Sequence, residues 1–414
     1  MTASRARLTP ALAIVLVAAC LISLLSFGVR SAFGLLTDPV SRELGTSREV
    51  YSIAIALQNL FWGLAQPVAG VISDRLGARR VLVMGAVLYA VGVAWMTVAA
   101  SPVELYLSAG VLVGLGMGGA SYITVLAALG RAMPESHRSW ALGLGTAAGS
   151  LGQFVIVPLA QAVIDAQGWH AGVWFLAGAV ALVLPAAWLI RGDRADRPAS
   201  AEATQEGLAE VLLAAARHPS YLLLVGGFFV CGFQLAFITT HFPPYLADLG
   251  LRAEVASWAI ALVGLFNVLG AYLAGAWGGR YSKKNLLAAV YFARAVVTVL
   301  FITTPVTVAS VLLFGAAMGV LWLSTAPLTS GLVATFFGTR YMATLFGFVF
   351  LSHQIGSFLG VWMGGYLFER TGSYEVVWWT CAVLAVVAGG MNLPIRERLA
   401  PRFASAALAA GVAR

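Results

Sequence analysis

Apolar residues in this chain lie in long unbroken runs, and that spacing constrains the fold more than any other feature. Runs near 9–36, 49–72, 80–100, 103–129, 139–163 and 171–190 form a first set; runs near 219–242, 254–277, 285–304, 307–335, 342–367 and 375–393 form a second. Each is about 20 residues or longer, the length an α-helix needs to cross roughly 30 Å of hydrocarbon. Backbone amides inside a bilayer find no water, so only helices and closed barrels span it. Barrel strands alternate apolar and polar residues over about 10 positions, and no such alternation appears. The expected fold class is therefore an all-α polytopic membrane protein with twelve transmembrane helices.

Composition agrees with this reading. Of 414 residues 60% are apolar and only 10% are charged, too few charges to cover the surface of a soluble protein of that length. A net charge of +8 would suit nucleic acid, but the placement of the charges argues against it. With a cytoplasmic N-terminus, only Arg42, Arg48, Arg252 and Arg370 fall on external loops, and only Arg30 and Arg294 lie within spans. The rest of the twenty-five Lys and Arg sit on cytoplasmic segments. This positive-inside asymmetry accounts for the basic pI without nucleic acid and puts both termini in the cytoplasm of a multi-pass inner (plasma) membrane protein. Cys20, Cys231 and Cys381 lie inside apolar runs, with neither metal-ligand spacing nor a disulfide framework. Val17-Ala18-Ala19-Cys20 resembles a lipoprotein processing box, yet the apolar run continues to Leu36, which favours a retained first helix.

The chain also repeats itself. Gly70-Val71-Ile72-Ser73-Asp74-Arg75-Leu76-Gly77-Ala78-Arg79-Arg80 follows the second run, and Gly275-Ala276-Trp277-Gly278-Gly279-Arg280-Tyr281-Ser282-Lys283-Lys284 follows the eighth at matching spacing. Met117-Gly118 is echoed by Met318-Gly319, Gly149-Ser150 by Gly356-Ser357, and Val173-Trp174 by Val377-Trp378. The longest connection, 191–218, separates the copies and carries Arg191, Asp193, Arg194, Asp196 and Arg197. We therefore expect an N-terminal six-helix bundle over 1–190, a cytoplasmic linker over 191–218 and a C-terminal six-helix bundle over 219–414. Two pseudo-symmetric halves in parallel are a transporter architecture, and a single chain already supplies both, so a monomer suffices.

The Gly70–Arg80 segment resembles the signature loop of the major facilitator superfamily, and the resemblance extends along the whole chain. It implies a conformational latch formed by Gly70, Asp74, Arg75, Gly77, Arg79 and Arg80. Glycines permit the tight turn, and Asp74 can pair with arginines at a helix end. The second copy carries Gly279 where Asp74 stands, so a weaker latch is expected there. Ala141, Gly143, Ala148-Gly149-Ser150 and Pro158-Leu159-x-Gln161, together with His353-Gln354, Gly356, Gly360 and Gly364-Gly365, resemble the monocarboxylate transporter group and its bacterial oxalate/formate antiporter relatives. In the monocarboxylate group a basic residue lies in span one, as Arg30 does here. The Asp-x-x-x-Arg pair of span eight is replaced by Asn267 and Ala271, and the acidic-Gly-Gly-Trp signature before span one is missing.

All seventeen acids fall in loops or at span ends, so no embedded carboxylate is offered as a proton relay. Any coupled proton must ride on His241, on His353 or on the substrate. Arg30 is the most informative residue. A guanidinium in a span costs at least about 2.5–3.5 kcal/mol and calls for a polar cavity or a route to the interface. A carboxylate matches its fork with two parallel hydrogen bonds. Phe33, three residues on, is expected to pack beside the ligand. Tyr122, His241, Asn267, His353 and Gln354 complete the candidate substrate-binding set; the alternative is interhelical bonding for Tyr122, Asn267, His353 and Gln354, and for His241 a plain helix-end histidine held by backbone groups. Gln58, Asn59 and Trp62 form a similar polar and aromatic face, and Arg294 reads as a structural partner of an ion or a carbonyl.

The enzyme motifs return little. Gly114-x-Gly116-x-x-Gly119 matches a dinucleotide fingerprint, but it lies inside an apolar run with no preceding strand, where close helix packing explains it. Phosphate-loop, zinc and nucleophile-elbow motifs are missing. We thus expect no enzyme, no cofactor and no metal. The expected function is a secondary active transporter moving a small organic anion, a monocarboxylate, by proton-coupled symport. Exchange of the oxalate/formate type is the alternative, and a non-transporting sensor or an exporter of other small molecules stands further back.

Overall fold

Where the apolar runs lie, helices form. The computed structural model describes residues 9–190, 208–338 and 342–399, except the side chains of residues 74–76, 122, 123, 127, 130, 131, 135, 136, 138, 139, 208, 209, 342 and 343. Among the described residues, twelve helices are long and apolar enough to cross a membrane. In the first half they are α1 (Pro10–Glu43), α2 (Arg48–Ser73), α3 (Ala78–Val98), α4 (Pro102–Leu126), α5 (Trp140–Gln167) and α6 (Trp169–Leu189). In the second they are α7 (Pro219–Asp248), α8 (Ala253–Gly278), α9 (Lys283–Thr303), α10 (Val308–Phe337), α11 (Thr344–Thr371) and α12 (Glu375–Asn392). There is no strand among the described residues. Of the expected linker, residues 191–207 lie outside the described residues, and Leu208–Ala216 is a short helix leading into α7.

The repeat seen in the sequence is a repeat of packing. In the first half α1 crosses α5 at Gly28 and Gly152, where a Cβ on Gly28 would meet the Gly152 carbonyl at 2.6 Å. In the second half α7 crosses α11 in the same manner, Gly232 lying against the His353 carbonyl and Gly356 against that of Phe229. Apolar side chains gain little by leaving lipid, so such helices associate through close backbone approach, which only small residues allow. The Gly114 carbon of the fingerprint-like motif lies against the Gln58 carbonyl of α2, which is the helix packing expected of it.

Among the described residues α1, α4, α6 and α10 are interrupted, α6 by a single turn residue at Leu182. α1 passes through a 3-10 turn, Phe33–Leu36, before continuing as Thr37–Glu43, so it runs beyond the expected end near residue 36. α4 breaks at Ala120-Ser121, and α10 breaks between Leu321 and Thr325. Each break frees backbone groups that the interior must satisfy. At α10 the fully buried Arg294 of α9 does this, donating to the carbonyls of Leu321 (2.7 Å) and Trp322 and to Gln234 Oε1 (3.4 Å). A cation at the C-terminal end of a half-helix also meets the negative end of its dipole, so this embedded arginine is satisfied with neutral partners.

The halves meet along α2–α11, α5–α8 and α1–α7, and the seams are tight toward one end. There Gly365 lies against Ser52, Gly34 against the Thr239 carbonyl, and Thr37 Oγ1 donates to the Thr240 carbonyl at 3.4 Å. At mid-depth Gln153 Nε2 donates to the Ile260 carbonyl at 2.8 Å. A Cβ on Gly70, Gly143, Gly275 or Gly347, nearer the signature-loop end, would meet nothing within 4 Å among the described residues. The halves are seen to close on each other at the end bearing Arg48.

Candidate functional site

Arg30 occupies the last turn of the first α1 segment and is half-buried. Its guanidinium lies 4.9 Å over the Trp62 ring and 5.9 Å from that of Phe27, and Nη2 donates to Asn59 Oδ1 at 3.3 Å. Asn59 is fixed for this task because its Nδ2 donates to the Ile55 carbonyl one turn back (2.8 Å). A ring face and a neutral oxygen soften the burial of the charge.

A cavity of about 10 Å³, room for about one water molecule, adjoins the guanidinium. It is bounded by Ser26, Phe27, Trp62 and Tyr89, and by Ala120-Ser121 at the break of α4. Gln66 knits this wall together, its Oε1 accepting from Trp62 Nε1 (3.3 Å) and from Ser121 Oγ (3.0 Å). Ser26 Oγ is buried without a hydrogen-bond partner among the described residues.

Trp62 carries the site across to the other half. Its ring meets Phe350 of α11 edge-on at 5.2 Å, and Phe350 stacks on His353 at 5.9 Å and 7°. His353 Nδ1 is 3.0 Å from Gln354 Oε1, and the Gln354 stem packs where Gly63 of α2 leaves room. Gln354 Nε2 is buried with no partner among the described residues. The structure thus brings Arg30, His353 and Gln354 to one seam, linked through Trp62 and Phe350.

The other expected residues lie elsewhere. Phe33 opens the 3-10 turn and is buried, its carbonyl accepting from Tyr51 at 2.6 Å, while Phe27 lines the cavity. His241 lies between α7 and α11, with Nε2 at 2.8 Å from the Val361 carbonyl and the ring against Gly364 and Tyr374. Asn267 is spent on the scaffold: Nδ2 donates to Ser150 Oγ of α5 (2.8 Å) and Oδ1 accepts from Leu323 N at the α10 break (2.9 Å). The side chain of Tyr122 lies outside the described residues.

Of the signature loop, the side chains of Asp74 and Arg75 also lie outside the described residues. Gly77 takes φ +89°, which only glycine adopts freely, and caps α2 by donating to the Ser73 carbonyl. Arg79 donates to the Ile190 carbonyl at 3.3 Å and lies over Trp188, whereas Arg80 is exposed and Gly70 faces open space. At the second loop, where Gly279 replaces the acid, a carboxylate arrives from elsewhere. Glu397, beyond α12, accepts from Ser282 Oγ (2.7 Å) and from Lys284 N (2.8 Å). Sequence reasoning missed Glu397 because the contact joins positions far apart in the chain.

Twelve apolar helices among the described residues, in two pseudo-symmetric six-helix bundles that close on each other at the Arg48 end, with Arg30 held inside the first, define a polytopic membrane protein. The family model of the Major Facilitator Superfamily matches residues 19–361 and 246–411, and the chain belongs to that superfamily. It is 24% identical over 377 residues to the MFS-type transporter YcxA of Bacillus subtilis (strain 168), covering 88% of this chain and 90% of that one. It is 27% identical over 388 residues to Monocarboxylate transporter 11 of Mus musculus, covering 89% and 84%. Among solved structures, a mutant of the nucleoside transporter NupG superposes with a TM-score of 0.73 at 15% identity, covering 92% of this chain and 99% of that one. That last likeness concerns the fold alone.

Proposed function

We propose that the chain carries a small monocarboxylate across the membrane by alternating access, with the substrate carboxylate held by Arg30. The observation that carries this reading is the Arg30 guanidinium on the Trp62 face, within the membrane-spanning part of α1 and beside a cavity at the α4 break. A carboxylate there receives two parallel hydrogen bonds and gains the positive end of the half-helix beginning at Tyr122. Gln354 Nε2 and His353, joined to Trp62 through Phe350, supply a donor and a titratable ring from the opposite half. Likeness to relatives named as monocarboxylate transporters supports the same substrate class. With the basic segments in the cytoplasm, the end closed around Arg48 faces outward.

Symport with a proton is our first reading, with His353 the coupling candidate nearest Arg30 and His241 a second. Anion exchange is favoured by a specific observation, the lack of an embedded acid in the sequence. A small apolar monocarboxylate should raise the thermal unfolding midpoint of the purified protein, and its uncharged amide should not. Equal stabilisation by acid and amide would remove the charge from recognition.

A further inference from the structure

The closed end carries a charge cluster that the site does not use. Arg48, the first residue of α2, donates through Nε to Asp38 Oδ1 of its own half (2.7 Å). Through both terminal nitrogens it grips Asp248, the last residue of α7 in the other half, at 2.5 and 2.8 Å. Its backbone N–H donates to Glu369 of α11 (2.9 Å), and its guanidinium lies 4.5 Å over the Phe368 ring. A second ion pair crosses beside it, Arg370 to Glu49 at 3.6 Å. The Tyr374 phenol next to the cluster is pushed above its ordinary range by burial, with Arg48 opposing, so it stays neutral.

We infer that Arg48 is the pin of a gate, holding shut the end of the transport path opposite the signature loop by bridging Asp38 in one half and Asp248 in the other. Exposure separates this cluster from an ordinary surface pair. The side chains of Arg48 and Asp38 are 13% and 15% exposed, and that of Asp248 is 38%. Solvent-exposed pairs contribute almost nothing, whereas bidentate, partly desolvated pairs with several partners are strong. Each partner from the second half, Asp248, Phe368 and Glu369, lies at the end of α7 or α11, the helices that meet α1 and α2 at this seam. Rotation of the halves about the mid-depth contacts must therefore break these contacts together, while the Arg48–Asp38 pair stays within its own half. The gate holds two discrete states because the contacts form or break as a unit. The signature loop is expected to latch the opposite end, so the two devices oppose each other.

The test reads access at the seam without any substrate, so it stands apart from the carboxylate reading of Arg30. Ser52 is fully buried against Gly365 just below the cluster, and Ser52→Cys places a thiol there. Its alkylation by a water-soluble maleimide is timed in the full-length protein in nanodiscs, with Cys20, Cys231 and Cys381 replaced by serine. Asp248→Asn and Arg48→Gln should each speed labelling about tenfold or more, and about 1 M salt should move the parent the same way. Asp38→Asn, which removes an acid from the half that already holds Arg48, should change it by less than about twofold. Unchanged labelling in Asp248→Asn, or equal acceleration in Asp38→Asn, would overturn the gate and leave the cluster a local stabiliser.

Discussion

Arg30→Ala should insert into the membrane normally and bind its substrate at least about thirtyfold more weakly. Arg30 donates to Asn59 Oδ1 at 3.3 Å, a weaker contact than the short bonds by which Arg294 holds Leu321 and Trp322. The ligand, by contrast, loses its only embedded cation in the first half. Removing one partner of a desolvated, hydrogen-bonded charge pair costs about 2–5 kcal/mol, so affinity should fall at least about thirtyfold and uptake should approach background. Arg30→Lys keeps the charge and loses the planar fork and the stacking on Trp62, and should lie between. Substrate titration against the thermal unfolding midpoint, with membrane yield as the control, checks this. Wild-type affinity in Arg30→Ala would remove the residue from the site.

Gly34→Val should stop turnover while leaving the two bundles folded. Gly34 sits in the 3-10 turn of α1, and a Cβ there would run into the Thr239 carbonyl of α7, across the seam between the halves. Backbone does not yield as a side chain does, and overpacking of this kind costs about 1–3 kcal/mol. That cost falls on the closed form alone and shifts its population about 5- to 150-fold. Transport should drop by about that factor, with the Ser52→Cys label reporting a mouth that stays open. The contrast is Gly152→Val, whose side chain meets the Leu24 carbonyl inside one bundle and so disturbs every conformation. Normal transport by Gly34→Val would mean that this contact is not part of the closing motion.

Much of the scaffold could be read from the chain because one solvent property dictates it. Roughly 30 Å of hydrocarbon demands helices of that length, and the twelve runs in the sequence lie where α1 to α12 lie. The crossings of α1 with α5 and of α7 with α11 rest on Gly28, Gly152 and Gly232, which the repeat in the sequence did not single out, together with Gly356, which it did. The breaks in α4 and α10 were not legible. No proline stands at Ala120-Ser121 or at Leu321–Ser324, and those breaks persist because tertiary partners such as Arg294 satisfy the freed groups.

The site was partly legible for the same kind of reason. A charge inside an apolar run singles out Arg30, and a polar face on α2 singles out Asn59 and Trp62. Which distant residue each one touches depends on helix rotation, and hydropathy does not encode it. Asn267 looked equally available and proves to be engaged with Ser150 and Leu323. Arg48, Asp38 and Asp248 read as ordinary loop charges, and only the fold brings α2 and α7 together around them.

The most direct measurement of the central claim is uptake of radiolabelled small monocarboxylates into proteoliposomes, with an imposed pH gradient and, separately, with unlabelled anion trapped inside. Saturable uptake of a carboxylate but not of its amide, lost in Arg30→Ala and accelerated by inward proton flow, is the predicted result. Acceleration by trapped anion alone would keep the anion site and replace symport by exchange. Uptake of no carboxylate in either format would contradict the account.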